Sequence, residues 1–309
     1  MFGEYRKVMN LSSLILNPNY MAPSAWWQHV PIAHWLVDMI KPITIVELGS
    51  HYGVSLFAFC EAAERFSPKT FIYAVDTWEG DEHAGSYCDD VYNQVAEHWS
   101  KYHRTRARLI RSTFDEAVKY FEEASIDLLH IDGLHTYEAV KHDFETWLPK
   151  MKEDSIIVFH DINVRERDFG VWRLWQELRS MSDHSTYEVS NGHGLGMLIK
   201  GSRLIDALSD SVNVFPLLAA KGELLEKISE ATKSVSDASR SLSDVYKAKD
   251  IAEISLGKAL QEIRDLKQAV MENQRAKDDL NSVLSSRCWK ATGPARKAVG
   301  FYNRVLGST

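Results

Sequence analysis

Between Pro42 and Lys200 the chain repeats one unit: a short, almost wholly apolar run closed by a glycine or a polar residue, then a stretch of helical period. Residues 43–48 close at Gly49, 71–75 at Asp76, 126–131 at Asp132, and 155–159 at His160-Asp161. Residues 108–111 form a further run, followed by a helical stretch predicted over 114–124. Residues 137–148 set Val140, Phe144, Trp147 and Leu148 on one helical face. Strands that are apolar on both faces belong inside a parallel sheet covered by helices on both sides. A last pair of runs, 187–190 and 196–200, flanks Gly192-His193-Gly194 and predicts a hairpin at the sheet edge. The expected fold class is α/β: a doubly wound, Rossmann-like sheet, mostly parallel with an antiparallel edge strand.

Composition changes after this region. From Glu223 to Ser285 there is no proline and one glycine, and apolar residues recur at alternating steps of four and three. The seam runs Leu224, Ile228, Ala231, Val235, Ala238, Leu242, Val245, Ala252, Leu256, Ala259, Ile263, Leu266, Val270, Leu280 and Leu284. Lys249, Asn273 and Lys277 are its polar interruptions. A seven-residue repeat that never slips predicts a C-terminal coiled-coil helix, against the plainer reading of one charged helix lying on its own domain. The expected division is an N-terminal helical segment (1–41), the α/β domain (42–201), a linker (202–222), the coil (223–285) and a basic aromatic tail (286–309). Homo-oligomerisation through the coil is the partner it implies.

The net charge of −7 argues against a general nucleic-acid binder, which needs a basic face. The three cysteines, Cys60, Cys88 and Cys288, are scattered and show no Cys-x-x-Cys spacing, which fits a reducing cytoplasm better than a disulfide framework. The apolar run 11–16 breaks at Asn17-Pro18 and reads poorly as a signal peptide, and no stretch approaches membrane-spanning length. The expectation is a cytoplasmic protein, peripheral to the inner membrane face at most.

In a doubly wound sheet, ligands bind at the carboxyl ends of the strands. Gly49 and Gly53 bracket a turn between strand and helix, where backbone can approach a ligand closely. Glu47 lies near the end of that strand, and Asp76 ends the next, placed for ribose hydroxyls. The Gly-x-x-x-Gly spacing lacks both the dinucleotide fingerprint and the Lys-Ser/Thr of a phosphate loop. A nucleoside without pyrophosphate is preferred over NAD or ATP, though a glycine pair after a strand is often only a turn.

The segment Glu47-Leu48-Gly49-Ser50-His51-Tyr52-Gly53-Val54-Ser55 resembles motif I of the class I S-adenosylmethionine (SAM)-dependent methyltransferases. The segment His130-Ile131-Asp132-Gly133-Leu134-His135-Thr136-Tyr137-Glu138, with Asp143, Trp147, Pro149 and His160-Asp161, is more specific. It resembles the subgroup related to macrolide-sugar and catechol-type O-methyltransferases, many of them from bacterial surface-glycan pathways. The resemblance spans 42–200 and departs from the pattern at Lys152-Glu153-Asp154-Ser155, where relatives carry a Gly-Gly turn. It implies that Glu47, Gly49, Ser50, Gly53, Asp76, Thr113 and Asp132 hold SAM, with Ser112 and Phe114 near the adenine.

The resemblance also implies a Mg²⁺ site at Asp132 and Asp161, with His160 in a place that is often acidic. His135, three residues after Asp132, is the candidate general base, its imidazole titrating near operating pH. The plainer reading makes Asp132 and Asp161 helix caps and His135 a loop residue. Trp172 and Trp175 follow a charged loop and stand either as an acceptor wall or as core. Tyr20 to Trp35, with Trp26, Trp27, His29 and His34, reads as packing rather than a lid. The tail motif Ser286-Arg287-Cys288-Trp289-Lys290-Ala291-Thr292-Gly293-Pro294-Ala295-Arg296 is similar to one in bacterial polysaccharide-assembly proteins, which implies a docked protein partner; its basic residues beside aromatics also fit contact with an anionic membrane, against a solvated tail. The expected function is O-methylation of a sugar hydroxyl on a glycan acceptor in surface-polysaccharide biosynthesis. Its rivals are a non-catalytic scaffold or chain-length regulator and a methyltransferase of small natural products.

Overall fold

The computed structural model describes residues 12–81, 85–87, 89–182, 184–209, 212–293 and 295–297. It divides into two compact units, Met1–Lys233 and Ser234–Thr309.

The first unit is built on a seven-stranded sheet. Over both units, the helices and strands in chain order are α1 (Ser12–Ile15), α2 (Val30–Ile40), β1 (Thr44–Leu48), α3 (Val54–Phe66), β2 (Phe71–Asp76), β3 (Gly80–Asp81), β4 (Gly85–Ser86), α4 (Asp89–His98), β5 (Ala107–Arg111) and α5 (Phe114–Ala117). Then follow β6 (Ile126–Ile131), α6 (Tyr137–Trp147), β7 (Met151–His160), α7 (Val171–Arg179), β8 (Ser185–Val189), β9 (Leu195–Lys200), α8 (Ser202–Ser209), α9 (Phe215–Ser285) and α10 (Arg287–Ala291).

The strand order is β5-β2-β1-β6-β7-β9-β8. The first five are parallel neighbours; β9 runs antiparallel between β7 and β8, so the expected hairpin does finish the sheet. Strand order reverses at β1, which pairs with both β2 and β6, and Leu48 stands beside Val75 on one side and Ile131 on the other. That register brings Gly49, Asp76 and Asp132 to one edge of the sheet. Successive strand residues feed opposite cores, as the two-residue pleat requires. Ile45, Leu128, Ile156 and Val158 join the core under α2 and α3. Val46, Leu129, Ile157 and Phe159 join the core with α6 and α7.

Two stretches depart from expectation. The helix after β5 ends at Ala117 and continues as one 3-10 turn, Val118–Tyr120. Phe121 is extended instead, its ring packed on Tyr73 and Trp147. Tertiary contact outweighs helix propensity there. Within 202–222, expected as a linker, Ser202–Ser209 and the residues from Val212 onward are helical, and Leu204, Leu208, Val214 and Leu218 are buried in the first core.

Residues 234–285 of α9 form most of the second unit. The seam residues Val235, Leu242, Val245, Leu256, Ile263, Leu266, Val270, Leu280 and Leu284 are all exposed, from 70% at Val235 to 41% at Leu284. Among the described residues no helix is long and apolar enough to cross a membrane. The end of the tail, 298–309, with Phe301, Tyr302 and Arg304, lies outside the described residues, as do 1–11 of the N-terminal segment.

Candidate active site

Two cavities open side by side at the carboxyl ends of β1, β2, β6 and β7. The first, about 380 Å³, is lined by Gly49, Asp76, Thr113, Phe114, Gly133 and Asp143, with Thr77, Gly80 and Tyr87 of the β2–β4 segment at its rim. The turn after β1 is held by Asp76, whose Oδ2 accepts the Ser50 and His51 N–H groups at 2.8 and 3.0 Å, while Oδ1 accepts that of Trp78 at 2.7 Å. Thr113 caps α5, taking the Glu116 N–H on its hydroxyl. Burial pushes the Asp143 carboxyl up to about 7 despite the nearby His142, so it presents a protonated oxygen for much of the time at neutral pH.

Glu47, Ser50 and Gly53 build this turn and do not line the cavity. Glu47 is fully buried; its Oε2 accepts the Ser50 hydroxyl at 2.6 Å and its Oε1 the His130 Nδ1–H at 3.0 Å. The opposite nitrogen of His130 accepts the Trp26 indole N–H at 3.2 Å, which fixes the tautomer. Glu47 shares a strand face with Ile45, so it points into the interior. Gly53 caps α3. Ser112 turns its hydroxyl to the Thr113 carbonyl rather than to the cavity.

The second cavity, about 210 Å³, is lined by Asp132, His135, His160, Asp161 and His193, with Trp26, His51, Ser55 and Phe169 as walls. The Nε2 of His135 sits 3.3 Å from Asp132 Oδ1 and 2.9 Å from Asp161 Oδ2. From beneath, His160 Nδ1 reaches Asp132 Oδ1 at 3.2 Å and Asp161 Oδ1 at 3.3 Å. The β8–β9 turn adds His193 Nδ1 at 3.0 Å from Asp161 Oδ1. Asp132, His135 and Asp161 each offer a ligand atom within 4.8 Å of the others.

The charges in this cluster fix one another. Burial opposes protonation of His135 and His160, but the two carboxylates outweigh it and raise them to about 9 and about 10. Burial would equally raise Asp132 and Asp161; the facing imidazoles hold both well below the usual carboxylate range. His29, fully buried with its ring edge-on to His160 at 5.2 Å, is held well below the usual imidazole value by burial and by the His160 charge. Asp161 carries a left-handed φ of +61°, a strain that persists only where surrounding contacts over-determine it.

Position is imposed on His135 by the loop after β7. Phe169 stacks on its ring at 4.6 Å and 12°, and the Gly170 N–H donates to the His135 carbonyl at 2.7 Å. Any Cβ at Gly170 would stand 2.3 Å from the Tyr137 nitrogen, so only glycine permits this approach.

Residues 46–162 match the sequence family described as "Methyltransferase domain". The chain is also 46% identical over 193 residues to the uncharacterized protein y4gI of Sinorhizobium fredii, a match covering 62% of this chain and 21% of that protein. The chain thus spans about a fifth of the length of that curated relative. It is similar in structure to the O-methyltransferase TomG of Streptomyces achromogenes, involved in tomaymycin synthesis and solved with SAM, at 15% identity and TM-score 0.45, covering 59% of this chain and 82% of TomG. The SAH-bound methyltransferase PaMTH1 of Podospora anserina aligns at 15% identity and TM-score 0.44, over 59% of this chain and 90% of that one.

The matched stretch gathers Gly49, Asp76 and Thr113 on the first cavity and Asp132, His135, His160 and Asp161 on the second. Trp175 is core, packed on Phe159 and Gly196, and the half-buried Trp172 lies under Arg165 without lining either cavity. The aromatic wall comes from Phe169 and Trp26 instead. The segment 20–35 is packed as expected, yet it also delivers Trp26 to the second cavity. His193, read from sequence only as part of a turn, is the further residue that the structure adds to the acidic cluster.

Proposed function

We propose that the methyltransferase domain transfers a methyl group from SAM, held in the first cavity, to a hydroxyl oxygen presented in the second. One observation carries this reading: the two cavities meet at Asp132. The next residue, Gly133, lines the first cavity and the Asp132 side chain lines the second. A donor and an acceptor held there are neighbours, and alignment is most of what an in-line displacement needs. The acceptor oxygen attacks the methyl carbon, the C–S bond breaks with its electron pair going to sulfur, and the hydroxyl proton passes to a carboxylate oxygen of Asp132 or Asp161, since His135 already carries its proton. Asp76 stands at the end of β2 for the ribose, and the Asp143 carboxyl, in its protonated form, can donate to the adenine end.

The acceptor class we propose is a sugar hydroxyl, as on a surface glycan or its precursor. Aromatic faces beside carboxylates and imidazoles are the mix that holds a hydroxyl-rich ring. The donor set of Asp132, Asp161 and an imidazole fits a divalent cation, which would bind the acceptor oxygen and lower its pKa. Calorimetric titration of the purified chain with SAM and with S-adenosylhomocysteine tests the reading. Micromolar binding that Thr113 and Asp76 substitutions weaken is the expected result; no binding of either compound overturns it.

We further propose that residues 234–285 pair with a second copy of the chain. The exposed seam repeats in sevens, so it stays in line only against a helix of matching repeat. In a parallel, in-register pair Glu262 flanks the seam opposite Lys267 of the second copy, an attractive contact. Lys249, which interrupts the seam, is already partnered by Glu253 on its own helix at 3.6 Å.

A further inference from the structure

We propose that a third cavity of the first unit, set between α3 and the end of α4, binds an aliphatic diamine through Glu61 and Glu64. It encloses about 450 Å³, is lined by Asn19, Glu61, Glu64, His98, Tyr102 and His103, and shares no lining residue with the two cavities described above. Glu61 and His103 are its buried part, 5% and 4% exposed, while Asn19, Glu64 and Tyr102 are open to solvent. Two buried polar atoms of the lining stand without a partner. The Asn19 N–H donates to one Glu61 oxygen at 2.9 Å, but Glu61 Oε2 makes no hydrogen bond, and neither does His98 Nε2. Burial lifts the Glu61 carboxyl to about 7, and the Asn19 hydrogen bond offsets only part of that rise. The basic side chains nearby are engaged elsewhere: Arg106 donates to the Pro68 and Thr70 carbonyls, and the Lys101 ammonium lies over the Tyr102 ring at 5.0 Å. A buried carboxylate without a counter-charge is a place for a cation.

The surroundings choose an organic cation over a metal ion. Among the described residues, Asp132, His135 and Asp161 are the only three metal-donor side chains whose atoms meet within 4.8 Å. The carboxylates and imidazoles of the third cavity are spread instead, which suits a ligand with a chain of its own. Burial holds His98 and His103 at about 4, so both are neutral at pH 7 and do not repel a cation. Their rings belong to an aromatic wall: His98 lies 4.5 Å from Phe57, 4.7 Å from Tyr102 and 5.4 Å from His103. Such faces attract an ammonium and cover an alkyl chain, and Tyr102 already receives the ammonium of Lys101. Tyr102 and His103 reach the cavity on the π turn Trp99–His103, a departure from regular helix that recurs at functional sites. Glu61 and Glu64 stand three residues apart on α3, about 5–6 Å between β-carbons. One is buried and the other exposed, so a short chain with an ammonium at each end can reach both.

The test is calorimetric titration of the full chain with putrescine. Saturable one-to-one binding is expected, weaker by at least about tenfold for butylamine, which has one ammonium, and absent for butanediol, which has none. Glu61→Gln keeps an acceptor for Asn19 and should weaken putrescine binding by at least about tenfold. Glu64→Gln, at an exposed position, should bring putrescine close to the affinity of butylamine. Glu123→Gln, outside the cavity on the same unit, should change nothing. A thermal melt accompanies each variant, and Glu64→Gln carries the test should Glu61→Gln fail to fold. The proposal is overturned by no saturable binding of putrescine, by equal binding of butanediol, or by wild-type affinity in the folded Glu61→Gln or Glu64→Gln chain. An equal loss in Glu123→Gln overturns it as well, since that would mark general attraction to an acidic chain.

Discussion

Gly49 passes so close to Asp132 that a Cβ on the glycine would stand 2.0 Å from the Asp132 carbonyl oxygen. The contact couples the end of β1 to the end of β6, and Gly49 and Gly133 both line the first cavity. With φ at +86° the position is left-handed as well as crowded. Gly49→Ala must therefore displace backbone rather than a side chain. A loss of about 3 kcal/mol or more is expected in denaturant unfolding, since strain and overpacking add. SAM affinity should fall with it. Wild-type stability in this variant would show that the two strand ends are free to separate.

Asp76 accepts three backbone N–H groups from the turn and its neighbourhood. Asparagine offers one acceptor oxygen in place of two and brings an NH₂ that faces donors. Asp76→Asn is expected to weaken SAM binding by at least about tenfold, the size of one charge-assisted hydrogen bond lost at a ligand. It should also lower the melting temperature, because the turn loses its anchor. Calorimetry and a thermal melt separate the two effects. Unchanged affinity in a folded variant would remove Asp76 from the nucleoside site.

Much of this arrangement was legible in sequence, and the failures have physical causes. β1, β6 and β7 are buried on both faces, and that is what an unbroken apolar run followed by a turn encodes. Asp132, His135 and Asp161 lie at or just beyond strand ends, where the topology puts ligands. Glu47 lies near the strand end in sequence, but the pleat sends its side chain after Ile45 into the interior. Trp26 and His193 reach the second cavity from far along the chain, and no local pattern announces such convergence. The stretch 202–222 reads as a linker in sequence, yet Leu204, Leu208 and Leu218 within it are buried in the first core.

Glu61, 5% exposed, has one carboxylate oxygen on the Asn19 N–H at 2.9 Å and the other without a partner. Burial, assisted by Glu64 and opposed by the Asn19 hydrogen bond, lifts its pKa from 4.5 to about 7. A folded-state value above the unfolded one means the contribution to stability is whole at low pH and is lost as pH rises through about 7. Glutamine keeps the acceptor for Asn19 and carries no charge. Glu61→Gln should match wild type at acid pH and exceed it by about 2 kcal/mol near pH 8. Chemical denaturation at both pH values checks this; an equal difference at both would mean that ionisation of Glu61 is not involved.

The second unit makes the last prediction. Ile263 and Leu266 lie on the seam, 48% and 61% exposed in the single chain. Burying two such side chains against a partner contributes about 1.5–3 kcal/mol each, and carboxylates in their place would face one another across the pair. Ile263→Asp with Leu266→Asp should therefore turn an assembly into a monomer in sedimentation equilibrium at micromolar concentration. Both residues lie in the unit that begins at Ser234, so SAM binding by the first unit should be unchanged. Orientation is read by cross-linking cysteines introduced at Leu256: a parallel, in-register pair places the two copies of that residue side by side, an antiparallel pair does not. A wild-type chain that sediments as a monomer at the same concentration would defeat self-pairing outright. A cross-link that fails in an assembled chain would defeat the parallel register and leave Glu262 and Lys267 without the contact proposed for them.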